Sequence, residues 1–122
     1  MDPHEERAGT PVVVDLAAVD PVRCPCGWAR RAFADIPVAP ASDHRVEIEA
    51  DARAHDHRDH AEIYYVLECS AGAAVELDGV PVAVGPGSAV LIRPGVRHRA
   101  VGRMTILDVV VPPFDPADEW FD

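Results

Sequence analysis

Apolar residues along this chain fall in short alternating runs, and no window of about 11 residues shows the i, i+3, i+4, i+7 spacing of an amphipathic helix. Val- and Ile-rich runs instead recur every 8 to 12 residues, separated by Pro and Gly, the rhythm of an all-β chain. The pattern predicts strands near 11–18, 28–34, 45–50, 54–58, 62–68, 73–78, 80–84, 88–92, 96–101 and 104–111. Asp78-Gly79 is the sharpest local signal, because a two-residue type I′ turn needs positive φ at both central positions. In that register Leu77 faces Val80 and Val75 faces Val82, giving one apolar side to a hairpin. Residues 19–27 and 35–44, which hold Pro21, Pro25, Pro37 and Pro40, are expected to be loops across the mouth or outer wall.

So many short antiparallel strands predict a single all-β domain, a sandwich or barrel, over residues 10–111. Residues 1–9 are charged and unpatterned and read as a mobile tail. Residues 112–122 do not read as a strand, yet Phe114, Trp120 and Phe121 are three of the seven aromatic residues. This C-terminal tail is therefore expected to pack on the barrel or on a partner subunit.

Composition narrows the function. A 122-residue chain can bury roughly two-thirds of its unfolded surface without a disulfide or metal to hold it. With 21 acidic against 11 basic residues, a net charge of −10 argues against nucleic acid as a partner. No apolar run is long enough to suggest a membrane span, and the acidic N-terminus does not read as a signal peptide, so a cytoplasmic location is expected. The chain has no Lys, Asn or Gln, which excludes lysine Schiff-base chemistry and a lysine-bearing phosphate loop. Ser and Thr are few and none sits in a nucleophile elbow. His, Asp, Glu, Arg, Cys and Tyr remain, a set suited to metal or acid–base chemistry. The odd cysteine count, Cys24, Cys26 and Cys69, reads as free thiols. Cys24-Pro25-Cys26 reads as small residues packed at a bend, since the C-x-C spacing is not that of a zinc or redox C-x-x-C.

The chemistry concentrates at His55-Asp56-His57-Arg58-Asp59-His60-Ala61-Glu62. On an extended strand His55 and His57 point to one face. A short return connection then leads to Glu62 at the start of the next strand, and His98 opens another. Three neutral imidazoles and a carboxylate suit a divalent transition ion. His-x-His in such a charged run is also a common solvated turn. His60, out of phase in the return connection, reads as a surface or rim residue; His4 and His44 receive no role.

These residues resemble the two signature motifs of the cupin superfamily of small jelly-roll barrels. The first appears as His55-x-His57, four residues, Glu62, six residues, then Cys69 where glycine is usual. The second appears as Gly87, five residues, Arg93-Pro94-Gly95, two residues, His98, three residues, then Gly102 in place of asparagine. The resemblance implies a jelly-roll barrel and one divalent metal ion held by His55, His57, Glu62 and His98, with Fe2+ or Zn2+ first and Mn2+, Ni2+ or Cu2+ as further fits. It does not fix the reaction, which in cupins ranges over oxygenases, isomerases, lyases and metal-free binders.

Tyr64 shares the inward face with Glu62 by period 2 and is the candidate phenol near the metal. Asp108 is a candidate pocket carboxylate on the last strand. Arg31 and Arg53 are candidates to fork a substrate carboxylate. The expectation is a metal-dependent enzyme acting on a small polar metabolite, by dioxygenase-type or non-redox Lewis-acid chemistry. The alternatives are a non-catalytic binding module and a zinc cupin assisting a biosynthetic partner enzyme. A homodimer is expected, because Ile63, Tyr65 and Leu67 make an apolar outward set on the strand after Glu62.

Overall fold

A computed structural model describes residues 9–121, so the stretch 1–8, including His4, lies outside the described residues. The described residues form eleven strands. They are β1 (Val22–Cys24), β2 (Gly27–Ala32), β3 (Ser42–Ile48), β4 (His55–Asp56), β5 (Ala61–Cys69) and β6 (Ala74–Leu77). The chain continues with β7 (Val80–Ala83), β8 (Ala89–Ile92), β9 (His98–Val101), β10 (Met104–Val111) and β11 (Trp120–Phe121). The only helical turns among the described residues are short 3-10 segments at Leu16–Ala18 and Pro116–Asp118. Among the described residues no helix is long and apolar enough to cross a membrane.

The strands build two antiparallel sheets, one in the order β1-β2-β3-β10-β5-β8 and one in the order β11-β4-β9-β6-β7. Side chains alternate across each sheet, and their inner faces meet in a single core. Val46, Ile48, Tyr64, Val66, Met104 and Ile106 come from the first sheet; Val75 and Ala100 come from the second. The fold is a single all-β domain of two facing sheets, the jelly-roll architecture. The hairpin between β6 and β7 pairs Leu77 with Val80 and Val75 with Val82, as the sequence predicts. Its turn carries positive φ at both Asp78 (48°) and Gly79 (81°).

Three sequence expectations need correction. Residues 11–18 form no strand: the Asp15 carboxylate accepts the Ala17 N–H at 3.0 Å and caps a 3-10 turn, so a local side-chain bond prevails over strand propensity. The expected loop at 19–27 contains β1, which pairs with β2 through Cys24 opposite Gly27. The C-terminal tail does form a strand, because Trp120 pairs with Asp56 and Phe121 with His55. Strand limits also move: β3 begins at Ser42, and β4 ends at Asp56. Cys69, at the usual glycine position, sits at the end of β5 without positive φ, so no glycine is required there.

Candidate metal centre

The site lies between the two sheets. On β4 and β9, His55 stands directly opposite His98. His57 follows β4 in the connection, and Glu62 projects inward from the start of β5. One ligand atom from each of His55, His57, Glu62 and His98 lies within 4.8 Å of the others. His57, Glu62 and His98 are buried and His55 is partly buried.

Hydrogen bonding orients all three rings alike. His55 Nδ1 lies 3.0 Å from the Arg53 carbonyl, His57 Nδ1 2.9 Å from the Asp118 carbonyl, and His98 Nδ1 2.9 Å from the Val96 carbonyl. A carbonyl oxygen only accepts, so each Nδ1 carries the proton and donates it. In a neutral ring Nε2 is then a bare lone pair. His57 Nε2 lies 3.2 Å from Glu62 Oε1, and His98 Nε2 lies 3.0 Å from Glu62 Oε2. Those spacings are ion-pair distances, yet His57 Nε2, His98 Nε2 and Glu62 Oε2 have no aligned hydrogen-bond partner. Buried lone pairs facing a buried carboxylate repel one another unless a proton or a cation lies among them. The donor set therefore fits a divalent ion, and the backbone carbonyls behind the rings are the outer contacts that such ligands use.

Without an ion, protons answer the same need. Burial works against a charge on His57, but hydrogen bonding and attraction from Glu62 prevail and raise its pKa. Burial would raise the Glu62 pKa, yet the hydrogen bonds and charges of His57 and His98 hold it well below the usual carboxylate range. His55 is pulled down to about 4 by burial and then by His98.

A cavity of about 50 Å³ adjoins the donors, lined among others by Glu62, Tyr64, Asp108, His44, Arg31 and Arg53. That is room for a few water-sized groups. Sheet register explains the lining. Arg31 pairs with His44, His44 with Asp108 and Asp108 with Tyr64, so one row runs across β2, β3, β10 and β5. Asp108 is buried, and burial followed by the negative charge of Glu62 pushes its pKa well up. Tyr64 is likewise raised by burial and then by Glu62 and Asp108, and its ring meets His98 edge-on at 6.1 Å. Both groups are driven toward their protonated forms. Arg31 lies over the Phe114 ring at 4.4 Å, and Arg53 lies over the Phe121 ring at 4.4 Å.

Two histidines differ from their sequence reading. His60 is only 3% exposed, not a rim residue. Its Nδ1 is 2.8 Å from the Asp118 carboxylate and its Nε2 is 3.2 Å from the Pro113 carbonyl. The same carboxylate accepts the N–H groups of Arg58, Asp59 and His60 at 2.9–3.0 Å. Asp118 thus clamps the connection that carries His57. His57, His60 and Asp118 form a second cluster of metal-capable atoms, but the carboxylate is already occupied by amides. His44 is buried, accepts from Arg31 Nε at 3.3 Å through Nδ1, and lies 2.7 Å from Ser42 Oγ through Nε2. Burial and then Arg31 lower its pKa to about 4, so it is neutral. The parity of His44 with Val46 and Ile48 is the signal that could have found it; Asp118 and Glu119 have none, since their places depend on how the tail docks.

Comparison with known proteins agrees with this fold. The cupin domain profile matches residues 44–110. A crystal structure of a protein from Planctomyces limnophilus is similar at 47% identity, over 94% of this chain and 100% of that one, with a TM-score of 0.91. Streptomyces Pac13, described as a nucleoside dehydratase, is similar at 18% identity, over 93% and 95% of the two chains, with a TM-score of 0.77. Ectoine synthase from P. lautus shows 19% identity over 88% and 82%, with a TM-score of 0.74. No curated protein matches the chain.

Proposed function

This chain belongs to the cupin family, and we propose that it is a metal-dependent enzyme that performs acid–base chemistry, of lyase or isomerase type, on a small polar metabolite. The observation that carries the reading is the convergence of three Nδ1-anchored imidazoles and Glu62 on one buried point beside two protonated groups. His55, His57, Glu62 and His98 would hold a divalent ion, Fe2+ or Zn2+ first, and the ion would supply Lewis acidity toward a substrate oxygen.

The chain's own residues divide the remaining work. Asp108 is the proton donor: its pKa is pushed up, it is buried and beside the cavity, and its Oδ1 has no hydrogen-bond partner. Tyr64 Oη is a second donor that orients the substrate. Arg31 and Arg53 stand at the cavity with their guanidinium planes over Phe114 and Phe121, a setting suited to a carboxylate or other anionic group on the substrate. Acidic donors held protonated favour elimination or isomerisation over dioxygen chemistry. A nucleoside dehydratase among the proteins of like fold is consistent with that choice. The proposal includes a cytoplasmic homodimer with no nucleic-acid or membrane partner, supported by the net charge of −10 and by the apolar outer face of β5 and β8.

Metal analysis of protein purified without an affinity tag tests the reading, followed by oxygen uptake and turnover on candidate hydroxy acids and sugars. About one equivalent of metal with turnover but no oxygen uptake is expected. Protein that binds no divalent ion at neutral pH after reconstitution would overturn it.

A further inference from the structure

The turn Cys24-Pro25-Cys26 plays no part in the chemistry above. Cys24 closes β1 opposite Gly27, which opens β2, so the two cysteines flank the tip of a tight hairpin. The hairpin is pressed onto β3: Gly27 has φ of 152°, and a β-carbon there would run into the Glu47 carbonyl. The backbone is thereby fixed, and the Cys24 and Cys26 sulfurs are held 2.7 Å apart as free thiols. Both are half-buried and both line the cavity next to the metal donors. Packing at a bend does not require two sulfurs in contact at a cavity wall.

The geometry points to Cys24 and Cys26 as a redox-active dithiol in the wall of the pocket, which reacts with low-molecular-weight disulfides, Cys24 attacking and Cys26 resolving. The Cys24 sulfur bonds to one sulfur of the small disulfide, whose own S–S bond breaks and releases one thiolate. The Cys26 sulfur then bonds to Cys24, the mixed disulfide breaks, and the second small thiol leaves with the Cys26 proton. The two cysteines lose two electrons and the small disulfide gains them.

The charges around the pair assign the roles. The hydrogen bond from Cys26 lowers Cys24 to about 6, with help from backbone groups and Arg31, against the opposing effect of burial. The same hydrogen bond, then burial and the Cys24 charge, raise Cys26, and Glu119 adds to it. Tyr64, on β5, lines the same cavity as Cys26. At neutral pH the pair is therefore one thiolate and one thiol. Lower basicity costs nucleophilicity per thiolate, so Cys24 outpaces an ordinary thiol by only about twofold at pH 7 but by roughly tenfold at pH 6.

Exposure of the reduced, as-purified protein to oxidised glutathione tests this, with Cys69→Ser as background to silence the third thiol. Intact mass should show the loss of two hydrogens and no retained glutathione. Cys26→Ser should keep one glutathione, on Cys24, and Cys24→Ser should react at least about tenfold more slowly at pH 6. The first exchange should rise only about twofold between pH 6 and pH 8, against roughly 75-fold for a thiol of ordinary pKa. A glutathione adduct that the two-cysteine protein never resolves, or a rate that climbs with pH as an ordinary thiol's does, would overturn the proposal.

Discussion

Asp118 offers the sharpest test of how the candidate centre is held. Its Oδ1 accepts from Arg58 N, and its Oδ2 accepts from Asp59 N and His60 N, with His60 Nδ1 at 2.8 Å. Asp118→Ala strips this acceptor from three amides and removes the carboxylate beside His60 Nδ1. Water can reach Arg58 and Asp59, which are exposed, but not the buried His60. Counting one buried amide and two weakened exposed bonds, the loss is about 1–3 kcal/mol of folding stability. For a domain of this size that corresponds to a fall in Tm of roughly 10 °C. Asp118→Asn retains an acceptor for Asp59 and His60 but turns its NH2 toward the Arg58 N–H, so about half that loss is expected.

The second readout is metal affinity. The Asp118 side chain fixes the connection on which His57 sits, while its carbonyl anchors His57 Nδ1. Loss of such a support lowers metal affinity by about 10–100-fold. Burial opposes ionisation of Asp118, but the three amides prevail and hold it at about 2. A depressed carboxylate contributes stability above its unfolded pKa and loses it as pH falls through the folded value. The gap in Tm between wild type and Asp118→Ala should thus be constant from about pH 5 to 8 and shrink in stronger acid. Calorimetry and competition with a chelating dye measure the two effects. A variant with unchanged Tm and unchanged affinity would refute the clamp.

His57→Ala should abolish about one equivalent of bound metal while leaving the far-ultraviolet β signal, by elemental analysis and circular dichroism. In the parent protein, metal occupancy should fall on acidification, beginning at His57 because its raised pKa lets protons compete first; His55, at about 4, should be the later to compete. His60→Ala should keep its metal but lose about 1–3 kcal/mol of stability, because buried partners are left unsatisfied. Asp108→Asn should cut turnover by about 10²–10⁴-fold with metal retained, and wild-type activity should fall as pH rises through the raised Asp108 pKa. Sedimentation at micromolar concentration should give twice the 13.2 kDa chain mass; an Ile63→Glu, Leu91→Glu pair should make it monomeric, since these cross-strand neighbours are 43% and 54% exposed.

How much of this was legible depended on whether a residue's place is set locally. Period 2 puts Glu62, Tyr64 and Val66 on one face of β5, and the structure shows all three buried there. The Asp78-Gly79 turn likewise carries its own register. His55, His57, Glu62 and His98 could be grouped because each lies at or near a strand end, where the motif spacing leaves little freedom. His60 could not be placed, since what buries it is Asp118, 58 residues away. The same holds for Phe114 and Phe121, which read as aromatics in need of cover and turn out to lie under Arg31 and Arg53 of their own chain. Asp15 misled for the opposite reason: a bond reaching only two residues outweighed a run of three valines.

The pocket gathers three carboxyl groups, Glu62, Asp108 and Glu119, into one small volume. Like charges so placed cannot all persist in a partly dry site, and their surroundings separate them. Glu62 faces two imidazoles and is driven toward the carboxylate. Asp108 is driven toward the acid by burial first and then by the charge on Glu62, and Glu119 by burial, against the opposing pull of His57, with Glu62 adding to it. A group kept charged is a fit ligand for a cation, and a group kept neutral has a proton to give. Titratable neighbours whose pKa values are pushed apart in this way mark the division between holding and proton transfer. Glu62 links the two sides, because its charge attracts the imidazole cluster and adds to the burial that drives Asp108 toward the acid. Replacing Glu62 would therefore disturb the metal donors and the acid together, whereas replacing Asp108 would disturb the acid alone.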